Sequence, residues 1–248
     1  MGIDVGPIQV TDGLVFQFDP ANFRSYSGSG TTAYSLVGVN SSSLLNGVGF
    51  TTTNAGSFVF DGTNDYISTA NIDLSTTNKI TVCCWVKVLN YRETNGTSNV
   101  VYEFSSNFNG STTGFIAAFA DGSAVFSGLY PVALGVRGNS GYDLAAFSKI
   151  LVNDLAWHHW TCIFDKSLSS GNENILYIDA ILRSSILNPL SSDNTNNYIS
   201  DKLYIGNRGD GSSIAGNSNI SDLIIYNRVL TTAEILQNYN ATKGRYGL

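Results

Sequence analysis

Ile80-Thr81-Val82-Cys83-Cys84-Trp85-Val86-Lys87-Val88 alternates between one set at 80, 82, 84, 86 and 88, all aliphatic or thiol, and a second set of Thr81, Cys83, Trp85 and Lys87. A period of two sends the two sets to opposite faces of an extended strand, and the first set alone makes a continuous apolar face. The pattern recurs on both sides of this stretch. Leu14, Phe16 and Phe18 alternate with Val15 and Gln17, and Leu176 and Ile178 with Tyr177 and Asp179. Between the runs stand seven Asx-Gly pairs: Asp12-Gly13, Asn46-Gly47, Asp61-Gly62, Asn95-Gly96, Asn109-Gly110, Asp121-Gly122 and Asp210-Gly211. Such pairs suit the positive φ of tight turns. Short strands separated by turns from Gly13 to Asn227 predict an all-β chain, an antiparallel sandwich or barrel.

One segment breaks the rhythm. Thr231 with Glu234 forms a capping box ahead of Thr232 to about Ala241, and Gly244 stands just beyond, so this stretch reads as a helix with Ile235, Leu236 and Tyr239 as its buried stripe. No Pro-rich linker, charge block or repeat divides the 248 residues, a length that all-β chains often use for one domain. Charged residues make up only 13%, against about 25% in ordinary globular proteins, so Ser, Thr, Asn and Gly must form the surface. A net charge of −6 excludes the dense basic face that nucleic acid requires. The longest near-apolar stretch, Phe115 to Val136, is broken by Asp121, Gly122, Ser123, Ser127, Gly128 and Pro131, and cannot cross a bilayer. Met1 to Val10 has neither a basic residue nor an apolar run of signal-peptide length, so the expectation is synthesis and retention in a cytosol, or release by lysis. The three cysteines read as reduced, since adjacent Cys83 and Cys84 point to opposite faces.

The chain resembles the laminin-G-like, concanavalin-A-like jelly roll, in the form found in bacteriophage structural proteins. The resemblance rests on Gly13–Asp19 with Ser25–Thr32, on Phe58-Val59-Phe60-Asp61-Gly62-Thr63-Asn64-Asp65-Tyr66-Ile67, on Ile80–Lys87 and on Trp157-His158-His159-Trp160. It continues through Leu176–Asp179, Leu203–Asn207 and the closing Ile225–Leu230 with Glu234–Leu248. It implies a two-sheet antiparallel jelly-roll sandwich over residues 13–248, with residues 1–12 as a tether or edge segment. It also implies a virion protein displayed on a capsid or tail, with other virion proteins as partners and with homo-oligomers allowed. The alternative is a tail-fibre module that binds host-surface glycan; a degenerate glycosidase has fold analogy alone behind it. Relatives often hold calcium near the Phe-Asp-Gly turn and the penultimate strand, which makes Asp61, Asp65 and Asp222 the metal candidates. Here Ser221 occupies the position where many relatives carry the aspartate, and Asp222 points to the other face.

The residues argue against catalysis. Retaining glycosidases need two carboxyls about 5–5.5 Å apart. The four glutamates, Glu93, Glu103, Glu173 and Glu234, are scattered, and none shares a strand face with a neighbouring acid. His158 and His159 face opposite ways and cannot jointly hold one metal. Trp157 and Trp160 read as sandwich-building, while Trp85 lies either beneath a covering loop or on the concave sheet. For sugar, the candidates are Tyr91, Tyr130 and Tyr142 in Gly/Asn-rich segments near Asn107, Asn109, Asn139 and Asp143, combining aromatic faces with amide and carboxylate groups. Ile3, Val5, Ile8 and Val10 give the leading segment apolar side chains suited to adding as a strand to another protein's sheet edge.

Overall fold

The computed structural model describes residues 7–38, 40–90, 99–119, 132–148, 152, 154–209 and 214–248. Two antiparallel sheets face each other. The eight-stranded sheet runs Ile181–Arg183, Asn174–Ile178, Trp157–Asp165, Lys79–Val88, Asn217–Tyr226, Ser57–Asp61 and Gly49–Thr51, with Leu14–Phe18 paired to the later part of Asn217–Tyr226. The nine-stranded sheet runs Leu187–Leu190, Gly141–Phe147, Val132–Gly138, Gly114–Phe119, Asn99–Phe104, Leu203–Ile205, Tyr66–Thr69, Ser41–Leu45 and Thr32–Tyr34. This is the expected jelly-roll sandwich with one short helix.

The alternation at 80–88 does what its period requires. Ile80, Val82, Cys84, Val86 and Val88 are at most 1% exposed and lie in the core between the sheets. They join a layer in which Phe115 of the nine-stranded sheet stacks 5.0 Å from Phe164 of the other. Each such side chain contributes about 1.5–3 kcal/mol on burial. Trp160 lies in the same core. All three cysteines are buried and free.

The opposite face of the eight-stranded sheet is covered by the chain's end. The helix Thr232–Thr242 begins with the expected capping box and continues into a 3-10 turn, Lys243–Tyr246. Trp85 stacks on Tyr246 at 4.0 Å and donates its indole N–H to Thr242 Oγ1 at 2.8 Å. It therefore lies beneath this closing segment and not on the concave sheet. The helix's buried residues are Ile235, Asn238 and Thr242, and Leu236 is exposed, so the expected stripe is rotated. The rotation follows from Asn238, whose amide accepts from Val10 N–H and donates to the Tyr226 hydroxyl. Gly244 stands just beyond the helix, as expected, within the 3-10 turn, and the left-handed residue after that turn is Gly247 (φ 80°).

The leading segment differs from expectation in the same way. Val10, expected to serve a partner, is 7% exposed and packs on its own domain, with its carbonyl accepting from Tyr226 OH. The Ile8 carbonyl accepts from Gln237, leaving the Ile8 side chain exposed. Ile3 and Val5 lie outside the described residues.

Candidate functional site

Two sheet edges meet at one side of the sandwich. Asn174–Ile178 and Ile181–Arg183 end the eight-stranded sheet, and Gly141–Phe147 and Leu187–Leu190 end the nine-stranded one. Between them opens a groove of about 600 Å³. The hairpin forming one wall turns at Asp179 and Ala180, both with positive φ (55° and 61°), as a two-residue turn in a twisted hairpin requires. Its register pairs Leu176 with Arg183. Leu176 faces the core, so Arg183 also projects between the sheets, near Asn174 on the adjacent strand. Phe147, Leu168, Ile175 and Leu182 supply apolar wall.

Behind the groove's lining lies a buried polar network, reached through Gly171 and Asn174. Asp143 shares its parity with the core residues Ala145 and Phe147 and so points inward. Its carboxylate accepts from Asn174 Nδ2 and from Gly171 N–H, each at 2.6 Å. Glu173 accepts from the backbone and side-chain N–H groups of Asn194. Burial pushes both carboxyls above their usual range, against these hydrogen bonds. Lys166 is fully buried, donates to Thr113 Oγ1 and Asn196 Oδ1, and sits 4.0 Å from the Tyr198 ring centre. Burial pushes its ammonium down to about 7, which nearby Glu173 opposes.

Two atoms at the groove lack partners. Asn174 is 7% exposed and its Oδ1 accepts no hydrogen bond, and Arg183 Nε donates none. Arg183 makes one long contact, from Nη2 to the Ile178 carbonyl at 3.4 Å, and no ion pair among the described residues.

Of the sugar candidates, Tyr142 meets the loop that carries Asn107 and Asn109, and Asp143 lies on the other face of the sheet. Tyr142 and Asp143 lie on opposite faces of their strand: Tyr142 packs outside the nine-stranded sheet, edge-on to Phe108 at 5.2 Å with the Arg137 guanidinium 5.2 Å above its ring. Asn107 and Asn109 lie in the adjacent loop, where Asn107 Oδ1 accepts from Gly110 N–H. Asn107 also borders a small recess of about 260 Å³ with Ser105, Ser106 and Asp201. Asp143 is fully buried behind the groove, bound to Gly171 and Asn174. Tyr91 and Tyr130 lie outside the described residues.

The calcium candidates are also separated. Asp61 and Asp65 share one turn, in which Asp65 accepts from Asp61 N–H. Asp222 accepts from the Gln9 and Gln17 amides in another cluster, beside the Asp19–Arg245 ion pair. The three aspartates do not fit one cation, and among the described residues no three His, Cys, Asp or Glu side chains form a metal-binding group.

The acids and histidines are otherwise engaged. Glu103 is buried against Arg208 at 2.6 Å, Glu234 pairs with Arg228, and Glu93 lies outside the described residues. His158 bridges Asp179 (2.7 Å) and Asp154 (3.0 Å). Burial opposes its charge, but the two carboxylates prevail and hold its pKa above the usual value. His159, buried beside Trp85 and Tyr239, is pushed down to about 4.

The sequence reading missed Lys166, Glu173, Asn174, Arg183 and Asn194. Parity held the signal for Lys166, which continues the inward series Trp160, Cys162 and Phe164. Arg183 was hidden because its register depends on a turn, Asp179-Ala180, that lacks glycine.

A family model described as Concanavalin A-like lectin/glucanases superfamily matches residues 61–236. No curated protein matches the chain by sequence. Among solved structures, Trypanosoma rangeli sialidase is similar at 13% identity and a TM-score of 0.62, over 95% of this chain and 34% of that one. The botulinum neurotoxin serotype D binding domain is similar at 13% identity and 0.64, over 92% of this chain and 51% of that one. The serotype D/C VPI 5993 binding domain is similar at 10% and 0.63, over 93% and 52%. The chain thus spans about a third of the sialidase and half of each neurotoxin chain, and at these identities the likeness is one of fold.

Proposed function

The chain belongs to the concanavalin A-like lectin/glucanases superfamily, and from that premise we propose that it is a non-enzymatic structural protein displayed on a bacteriophage particle, as a capsid decoration or fibre-like head. The observation that carries this reading is the closure of one face of the eight-stranded sheet by two segments remote in sequence. Residues 8–10 and the helix Thr232–Thr242 lie together on the eight-stranded sheet, through Val10–Asn238 and Ile8–Gln237. With that face closed by residues 8–10 and the helix, the outer face of the nine-stranded sheet is the one directed away from the particle. The closing segment Ile225–Leu248, which resembles those of phage structural proteins, supports the same assignment. Absence of hydrolysis is part of the proposal: Glu103, Glu173 and Glu234 stand on separate elements, each tied to its own partner. Immunogold labelling of purified particles with antibody to this chain tests it. Decorated capsids or tails support the reading, and particles free of the chain overturn it. Release of reducing sugar from glucans that disappears with Glu103→Gln would revive the glycosidase alternative.

A second reading, recognition of host-surface glycan by the displayed domain, is favoured by the groove at the sandwich edge, with its amide, hydroxyl and apolar lining. The neighbours that share the fold include toxin binding domains and a sialidase, which is compatible with that reading. A printed panel of cell-surface glycans tests it, and a blank panel overturns it.

A further inference from the structure

We propose that the chain forms a two-fold dimer in which the Ile181–Arg183 strands of two copies pair antiparallel about Leu182. Two observations carry it, and the first is the backbone. Among the described residues this strand pairs on one side only, with Asn174–Ile178. Asp179 and Ala180 make a two-residue turn with φ 55° and 61°, so Ile178 and Ile181 bond to each other across it, and Leu176 and Arg183 do the same two residues on. Leu182, between them, therefore turns its N–H and its carbonyl to the open edge. Two copies related by an axis at Leu182 exchange both groups, N–H to carbonyl in each direction. The same register sets Ile181 of each copy against Arg183 of the other and keeps the two guanidinium groups apart.

The second observation is what surrounds that strand. Of the fourteen large hydrophobic side chains exposed among the described residues, five fall between 181 and 190: Ile181, Leu182, Ile186, Leu187 and Leu190. Leu182 pairs with Tyr177 on the outer face of the eight-stranded sheet, and Leu187 and Leu190 pair with Ala146 and Leu144 on the outer face of the nine-stranded one. The apolar strip thus crosses the thickness of the sandwich, and from Ala180 to Leu190 Arg183 is its one charge. The five side chains present on the order of 500 Å² of apolar surface, a patch of the size that marks an interaction site. A standard interface takes about 800 Å² from each partner, and Ser184, Ser185, Asn188 and Pro189 supply the polar remainder. Leu187–Leu190 contains Pro189, which has no N–H to give, so it adds apolar surface while Ile181–Arg183 does the pairing. A short strand with an inward charge resists open-ended strand addition. Those features suit a two-fold contact, which uses the same patch on both copies, occupies both edges and stops at two.

Sedimentation of the full chain from micromolar to hundreds of micromolar concentration tests the proposal, and the expected result is a reversible monomer–dimer equilibrium. Leu182→Pro removes the outward N–H and leaves the hairpin's own bonds in place, whereas Leu182→Lys sets two like charges at the axis. Each should weaken the dimer by about tenfold or more. Leu236→Lys, on the exposed side of the helix, should leave it unchanged. Circular dichroism of the dilute proteins establishes that the variants are folded, and Leu182→Lys decides the matter if Leu182→Pro is not. A chain that stays monomeric throughout overturns the proposal and leaves the edge to a strand of another protein. A dimer indifferent to the folded Leu182 variants, or weakened equally by Leu236→Lys, overturns it as well.

Discussion

Asp222→Asn should stabilise the protein at neutral and alkaline pH and do nothing at low pH. Asp222 lies where Asn217–Tyr226 changes partner, from Ser57–Asp61, ending at the Ile220–Phe58 pair, to Leu14–Phe18, beginning at Leu223–Phe18. The register against Lys79–Val88 slips between Ser221 and Ile224, and Asp222 takes a positive φ of 46° at that bulge. Its carboxyl is 2% exposed. Burial, with the Asp19 charge adding to it, pushes the carboxyl up from 3.8 to about 6, against Arg245 and the Gln17 and Gln9 amides. The folded state therefore holds a proton that the unfolded state has lost, and stability falls as pH rises through this window. By linkage the full penalty is about 3 kcal/mol once pH exceeds 6. Asparagine keeps the left-handed backbone accessible and one oxygen for the glutamines. The weaker neutral hydrogen bonds return about 1–1.5 kcal/mol. The net gain at pH 8 is about 1.5–2 kcal/mol, or roughly 3–8 °C in Tm for a chain of this size. Calorimetric melting of both proteins from pH 3 to pH 8 measures it. A variant that melts lower at pH 8, or whose difference from wild type does not change with pH, would refute the reasoning.

Three further outcomes are expected. His159 is pushed down to about 4 from 6.5, so the unfolded chain takes up the proton first and stability is lost as pH falls through that interval, by up to about 3 kcal/mol. His159→Phe should remove this loss, seen as a denaturation midpoint that gains on the wild type as pH falls from 7 to 4.5. Thr242→Val leaves the Trp85 indole N–H without its acceptor and should cost about 1–3 kcal/mol in urea titration. Deleting residues 1–11 removes Val10 and its hydrogen bonds to Asn238 and Tyr226, and should lower stability by about 2 kcal/mol or more; an unchanged melting curve would show the segment to be a free tether.

The period-two pattern at 80–88 carried the fold because burial on one face leaves a strand little freedom of register. Covering layers were less legible. Trp85, Cys83 and Thr81 belong to the outward set, and nothing local says that a helix about 150 residues later in the chain will bury them. Asn238 and Thr242 fall outside the expected stripe because their partners, Val10 and Trp85, are remote in sequence. For the same reason the sugar candidates, chosen as neighbours along the chain, divided between faces: Tyr142 and Asp143 are adjacent and therefore opposed. The groove residues come from both sheets, and a single sequence offers no measure of which edges meet.

The turn of the hairpin that walls the groove is bound to His158. Asp179 accepts from His159 N–H with one carboxylate oxygen and meets the His158 ring with the other, while Asp154 holds the second ring nitrogen. Burial works against the imidazolium, but these two carboxylates raise its pKa above 6.5. A raised folded pKa means that this contribution is complete below the unfolded value and is lost as pH rises through the folded one. The ion pairs are partly exposed, so each contributes only about 0.2–1 kcal/mol. That is too little to alter global unfolding decisively, yet enough to change how often the Asp179-Ala180 turn opens. Hydrogen exchange over Asn174–Arg183 should therefore quicken several-fold in His158→Gln at pH 6, with the rest of the core unaffected. The wild type should approach the variant as pH is raised, after correction for the intrinsic exchange rate. Equal protection of the hairpin in both proteins at pH 6 would mean that the turn is held by its backbone geometry alone and that His158 has no part in shaping the groove.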